Sequence, residues 1–239
     1  MILVIPDVHN KVEQFNKIMA KFSHIKTKVS LGDWHDSFEW PVGPQIEETA
    51  RVQADFISNP DHTCLMGNHD IQYAFPDFKG MGIMCSGHGF WKQEPIDKWM
   101  KSEWSKVKLF QWLTINDKDF LLSHAGVHAQ FAHPILGLTE EHVYALCTEA
   151  MAAVRYESRV TPILSIGRRR GGWDPVGGIT WCDWRDFEPT DGVNQICGHT
   201  INFDVRQRNT LNSANFCIDT NLNHVAIIDD DGEVIIENV

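Results

Sequence analysis

The chain has 239 residues, of which 43% are hydrophobic and 22% charged, and a formal net charge of −11. This composition excludes disordered and fibrous classes, no apolar run is long enough to cross a bilayer, and the length suffices for one domain with a sizeable core. The acidic balance also argues against extended nucleic acid as a partner, because that affinity rests on Lys and Arg neutralising phosphates.

Residues 2–6 form a short apolar run that reads as a first strand. No basic stretch precedes it and the polar Asp7-Val8-His9 follows at once, so it does not read as a secretory signal, and a cytoplasmic protein is expected. Val12, Phe15, Ile18, Met19 and Phe22 then lie on one helical stripe. Residues 28–31 read as a second strand ending at Gly32-Asp33, and residues 45–57 have helical composition that stops before Asn59-Pro60. A third strand over 62–66 ends at Gly67-Asn68-His69-Asp70.

The middle segment carries Gly80, Gly82, Gly87 and Gly89 among the aromatics Phe75, Phe78, Phe90 and Trp91, which read as cover for a core or as stacking groups at a site's rim. Residues 94–112 read as a helix, and 71–112 as an insertion of helix and loop in a single domain spanning 1–239. Residues 120–122 restart a strand that ends at Ser123-His124-Ala125-Gly126. Thr139 is the expected N-cap of a helix reaching Tyr156. Further strands are expected at 177–181, 194–197, 215–219, 224–229 and 233–239, the last two joined by Asp230-Asp231-Gly232. Cys64, Cys85, Cys147, Cys182, Cys197 and Cys217 contain no Cys-x-x-Cys pair and read as buried free thiols.

Alternating short strands and helices predict an α/β layered fold with its working residues in loops after the strands. Five such loops carry Asp7 with His9, Asp33 with Asp36, Asn68 with His69, His124, and His199 within Gly198-His199-Thr200. Carboxylate, amide and imidazole are the ligands a pair of divalent cations needs, so the chain reads as a metal-dependent phosphoester hydrolase. Each fragment alone is common; five in order, each after a strand, are not. Arg168-Arg169-Arg170 concentrate positive charge and read either as a place for one anion or as a solvated loop.

Through Asp7-Val8-His9-Asn10, Gly32-Asp33-Trp34-His35-Asp36, Gly67-Asn68-His69-Asp70, Ser123-His124-Ala125-Gly126, Gly198-His199-Thr200 and Cys217-Ile218-Asp219-Thr220, the sequence resembles the calcineurin-like metallophosphoesterase superfamily. The likeness is greater to its phosphoprotein-phosphatase-like branch, which includes bacterial and phage serine/threonine phosphatases and symmetrical dinucleoside tetraphosphatases. The resemblance implies an α/β (α+β) fold of two mixed β-sheets packed as a sandwich and flanked by helices. It implies two divalent metal ions, Mn²⁺ foremost with Fe or Zn as alternatives. Asp7 and His9 would hold the first, Asp33 would bridge, and Asn68, His124 and His199 would complete the second. A hydroxide shared by the cations would attack phosphorus, and His69, oriented by Asp36 with Asp70 as the second choice, would protonate the leaving oxygen.

Departures from the family pattern matter too. Ser37-Phe38 stands where Arg-Gly is usual, so a phosphate-binding arginine is missing, and Arg185 ahead of Arg170 is the expected replacement. Pro6 and Asn10 stand where glycine is common, and His35 occupies a variable position expected at the rim. The partner is expected to be a small phosphorylated substrate, a phosphoprotein or a dinucleoside polyphosphate, with neither extended nucleic acid nor membrane. A phosphodiesterase or nuclease on the same core, or a scaffold of this fold without catalysis, are the alternatives.

Overall fold

The computed structural model describes residues 1–37, 43–76 and 85–239, so Phe38, Phe78, Gly80 and Gly82 lie outside the described residues. Among the described residues, ten strands form two five-stranded sheets. The first contains β1 (Ile2–Ile5), β2 (Thr27–Ser30), β3 (His62–Cys64), β9 (His224–Ile228) and β10 (Val234–Asn238), in the order β10-β9-β1-β2-β3. The second contains β4 (Phe110–Ile115), β5 (Lys118–Ser123), β6 (Val193–Cys197), β7 (Arg206–Asn209) and β8 (Ala214–Cys217), in the order β4-β5-β6-β8-β7. Both are mixed: β1, β2 and β3 run parallel, as do β5, β6 and β8, while β9, β10, β4 and β7 pair antiparallel.

Period-two alternation divides the strands' side chains between two apolar layers. Val4 is in register with Val29 and with Ala226, and these three join Phe120, Leu122, Ile196 and Phe216 in one buried cluster drawn from both sheets. Leu3 and Ile5 face the other way, into a cluster with Phe15 and Ile18 of helix α1 (Val12–Lys21) and Ile46, Ala50 and Phe56 of α2 (Gly43–Ser58). Leu121 and Val193 share that outer cluster with Val143 and Ala150 of α5 (Glu140–Glu157). Burying each such side chain contributes about 1.5–3 kcal/mol. The expected sandwich flanked by helices is therefore present.

Several local expectations are corrected. Residues 94–112 are not one helix: α4 (Gln93–Met100) gives way to a short 3₁₀ turn at Glu103–Lys106 and then to β4. β4 and β5 form a hairpin through Asn116 and Asp117, whose φ of 48° and 61° suit the two-residue turn that matches strand twist. Residues 177–181 form turns in place of a strand, with the amides of Trp181 and Cys182 both donating to the Gly178 carbonyl at 2.8 Å. Strand β7, Arg-Gln-Arg-Asn, lies at a sheet edge and carries no apolar alternation to announce it. Helix α3 (Asn68–Ala74) starts directly at the end of the third strand's loop. All six cysteines are free and buried. Among the described residues, no helix is long and apolar enough to cross a membrane.

Candidate metal centre

Parallel strands of both sheets end at one edge of the sandwich, and the loops after β1, β2, β3, β5 and β6 deliver their polar residues there. Asp7, His9 and Asp33 form one group whose ligand atoms lie within 4.8 Å of one another, and Asp33, His124 and His199 form a second. Asp33 belongs to both. Asn68 joins the second group, with its Oδ1 at 2.9 Å from His124 Nε2, which is itself 3.2 Å from His199 Nδ1 and 3.3 Å from Asp33 Oδ2.

Backbone carbonyls set the imidazoles. His124 Nδ1 donates to the Leu31 carbonyl at 3.0 Å and His9 Nδ1 to the Asp36 carbonyl at 2.8 Å. With Nδ1 so engaged, Nε2 is the nitrogen each ring turns to the carboxylates, and deprotonated it would carry the lone pair a cation needs: His9 Nε2 is 3.9 Å from Asp7 Oδ2 and 3.7 Å from Asp33 Oδ2. Imidazole nitrogens, carboxylate oxygens and an amide oxygen thus face one another at short range. With the imidazoles deprotonated, such a set suits divalent cations.

Backbone space is made for the carboxylates. A Cβ on Gly198 would lie 2.0 Å from Asp7 Oδ1, and one on Gly67 would lie 2.0 Å from Asp33 Oδ1. The amide of His199 donates to both oxygens of Asp7, at 3.1 and 3.0 Å, and the amide of His69 donates to Asp33 Oδ1 at 2.8 Å. Burial, then the neighbouring charges of Asp219 and Asp33, push the Asp7 carboxyl well above the ordinary range. Burial would raise Asp33 as well, yet the charges of His124 and His69 hold it below that range. The electrostatics thus fit the ligand geometry: too many buried acids for the cations the chain itself supplies.

His69 heads α3 beside the ligand Asn68, with its Nδ1 3.1 Å from Asp36 Oδ2. Burial disfavours its charged form, but the carboxylates of Asp33, Asp36 and Asp70 outweigh that and raise its pKa. Asp70 organises the loop, accepting from the amides of Trp34 and Gly67 at 3.0 Å each. Burial first, and then the Asp33 charge, push Asp70 up to about 7.

The cavity over this cluster measures about 460 Å³ and is lined by His9, Asp33, Asn68, His69 and His199, with Lys11, Arg170, Trp181 and Asp219 around them. The two arginines are placed differently. Arg185 does not line the cavity; its guanidinium grips Asp183 through Nε and Nη2, both at 2.9 Å. Arg170 does line it, with Nη2 donating to Thr200 Oγ1 at 3.0 Å and Nε placed 2.9 Å from Asp183 Oδ2 as an ion pair. Of its neighbours, Arg169 pairs with Asp186 and Arg168 reaches the Trp173 carbonyl. His35 is not at the rim but buried, held by Gln53 Oε1 at 2.9 Å, and burial lowers its pKa to about 4. Phe75 packs against the core, whereas Phe90 and Trp91 are exposed and do not line the cavity.

Sequence reasoning passed over Lys11, which lines the cavity and is hydrogen-bonded to Asn221 Oδ1, and gave no role to Asp219, which lines it too. It also passed over Tyr73 and Lys92, which reach Asp36 from elsewhere in the chain. Position beside Asp-x-His was the one signal available for Lys11.

Residues 1–203 match the family model described as calcineurin-like phosphoesterase. Among solved structures the chain is similar to a cold-active protein tyrosine phosphatase, at 16% identity and a TM-score of 0.57 over 98% of this chain and 78% of that one. It is similar to the cold-active protein-tyrosine phosphatase of a psychrophile, Shewanella sp., at 15% identity and a TM-score of 0.51 over 98% and 79% of the two chains. For a protein serine/threonine phosphatase from Saccharomyces cerevisiae the values are 13% identity, a TM-score of 0.52 and coverage of 99% and 78%. At these identities the likeness is one of fold. The sequence matches no curated protein.

Proposed function

The chain belongs to the calcineurin-like phosphoesterase family, a metal-dependent phosphoester hydrolase, and from that premise we propose that it is a two-metal phosphatase acting on phosphomonoesters, phosphoproteins or dinucleoside polyphosphates. The observation that carries this reading is the sharing of Asp33 between two ligand groups, since one carboxylate common to two triads is what a pair of adjacent cations requires. Asp7 and His9 would complete the first position, and Asn68, His124 and His199 the second. Bound there, two divalent cations supply Lewis acidity, lowering the pKa of an attacking water and neutralising the phosphoryl oxygens. The thiolate-free donor set suits Mn²⁺, Fe or Zn, and of these the family resemblance favours Mn²⁺.

The remaining steps fall to side chains. His69, whose Nδ1 is engaged by Asp36, has Nε2 left to deliver a proton to the leaving oxygen as the P–O bond breaks. Arg170 and Lys11 provide positive charge at the cavity wall for the phosphoryl oxygens of the substrate. Arg185 acts on this group only through Asp183, the carboxylate it shares with Arg170.

The test is product release by Mn²⁺-loaded protein from an aryl phosphomonoester, its diester, a phosphopeptide and a dinucleoside tetraphosphate, read as phosphate, aryl alcohol or nucleotide. The reading expects release from at least one of these other than the diester, and a His69→Ala variant with turnover lower by ~10²–10⁴-fold and unchanged bound metal. Preference for the diester would overturn the phosphatase reading, and wild-type turnover in His69→Ala would overturn the acid assignment.

A further inference from the structure

Asp36 is a crowded carboxylate. It is 1% exposed, and its two oxygens are divided between different donors. Oδ2 faces His69 Nδ1 at 3.1 Å, with Gln72 Nε2 at 3.4 Å. Oδ1 accepts from the Tyr73 hydroxyl at 2.6 Å and from the Lys92 ammonium at 2.7 Å. Lys92 is 4% exposed, an uncommon state for lysine, and its other hydrogen-bond partner is the Gly87 carbonyl at 2.6 Å. A buried ammonium is costly unless paired, and here its charged partner is the carboxylate that orients His69.

The segment that carries Lys92 also reaches the metal ligands. Cys85 Sγ accepts from Asn68 Nδ2 at 3.1 Å, which turns the amide so that Oδ1 faces His124, and the Cys85 amide donates to Gln72 Oε1 at 3.2 Å. Residues 85–92 thus touch α3 at Asn68 and Gln72, and at Lys92 they meet Asp36, the carboxylate that the loop after β2 presents to His69.

We propose that Lys92, assisted by Tyr73, is a positioning residue for proton donation by His69: it fixes Asp36 through Oδ1, so that Oδ2 holds the imidazole with Nε2 turned into the cavity. The assignment rests on the reading of His69 as the acid. Its mechanical content is simple. A carboxylate held on one oxygen by two donors cannot rotate, and the imidazole on the other oxygen inherits that fixity. The proton goes from His69 Nε2 to the ester oxygen as the P–O bond breaks, releasing the alcohol, so the effect is largest where the leaving alcohol is least acidic.

The experiment compares kcat on p-nitrophenyl phosphate, whose leaving group needs little protonation, with kcat on an alkyl phosphate. It uses Mn²⁺-loaded wild type, Lys92→Met, Tyr73→Phe, His69→Ala and the Lys92→Met/His69→Ala double variant, with bound metal measured for each. Lys92→Met is expected to lose ~10–100-fold on the alkyl ester and several-fold less on the nitrophenyl ester, with metal content unchanged. Tyr73→Phe should lose less, in the same direction. In the His69→Ala background Lys92→Met should add under ~2-fold, because a residue that acts through His69 has nothing left to act on. Equal losses on both esters, or a loss that multiplies onto that of His69→Ala, would overturn the assignment. If Lys92→Met does not fold, Tyr73→Phe decides by the same criteria. Should His69→Ala itself fail to distinguish the esters, the acid reading falls and this assignment with it; should His69→Ala distinguish them while Lys92→Met and Tyr73→Phe do not, this assignment alone falls.

Discussion

His9, Asn10, Asp33, Asp36 and His199 all have left-handed backbones, with φ of 46°, 61°, 49°, 63° and 66°. Such conformations cost about 1–3 kcal/mol each outside glycine and persist only where surrounding contacts determine them. Here the contacts are those of the candidate site. Asn10 stands where the family resemblance leads one to expect glycine, and asparagine is among the few residues that tolerate this region, so the loop keeps its course. For the cations at the cavity wall, Arg170→Ala is expected to lower kcat/KM by about 10–100-fold, the worth of one charge-assisted contact to phosphate. Arg185→Ala should cost several-fold less, because it only braces Asp183; steady-state kinetics in which Arg185→Ala is the more damaging change would reverse the assignment. Ligand-type residues were legible in the sequence because the chemistry fixes their identities and the strand ends fix their places. Lys92 was not, since its partner Asp36 lies 56 residues away and no local pattern links them.

Helix α5 was legible down to its start. Thr139 Oγ1 accepts from the His142 amide at 3.2 Å, and Glu140 and Glu141 occupy the first turn, where the helix dipole favours negative charge. Thr139→Ala should therefore cost about 1 kcal/mol in urea denaturation without changing the slope; an unchanged midpoint would mean that the cap contributes nothing. The stretch after α4 reads as helix because Trp104, Leu109 and Trp112 keep an apolar density compatible with one, while the hairpin rests on a two-residue signal, Asn116-Asp117. The turns at 177–181 follow from packing: a Cβ on Gly178 would lie 2.0 Å from the Ile163 carbonyl oxygen, so the segment fits closely against the short 3₁₀ turn Pro162–Leu164. No periodicity in the chain encodes that approach.

At the scale of the molecule, the two sheets are stacked so that their parallel strands end together, and five loops from across the chain converge on one cavity. This convergence gathers buried acids in a chain already at −11, an arrangement stabilised by bound cations and destabilised without them. Chelation should accordingly lower the Tm, and restored Mn²⁺ should raise it in a concentration-dependent way; a Tm indifferent to both would mean that no cation is bound in the native state. The proposed function further requires that one carboxylate, Asp33, serve two cation positions. Calorimetric titration of the metal-free protein with Mn²⁺, for the wild type and Asp33→Asn, tests it most directly. Two equivalents per chain in the wild type, with both weakened in Asp33→Asn, is the predicted result, and a single equivalent in the wild type, or a variant that loses one position while keeping the other intact, would contradict it.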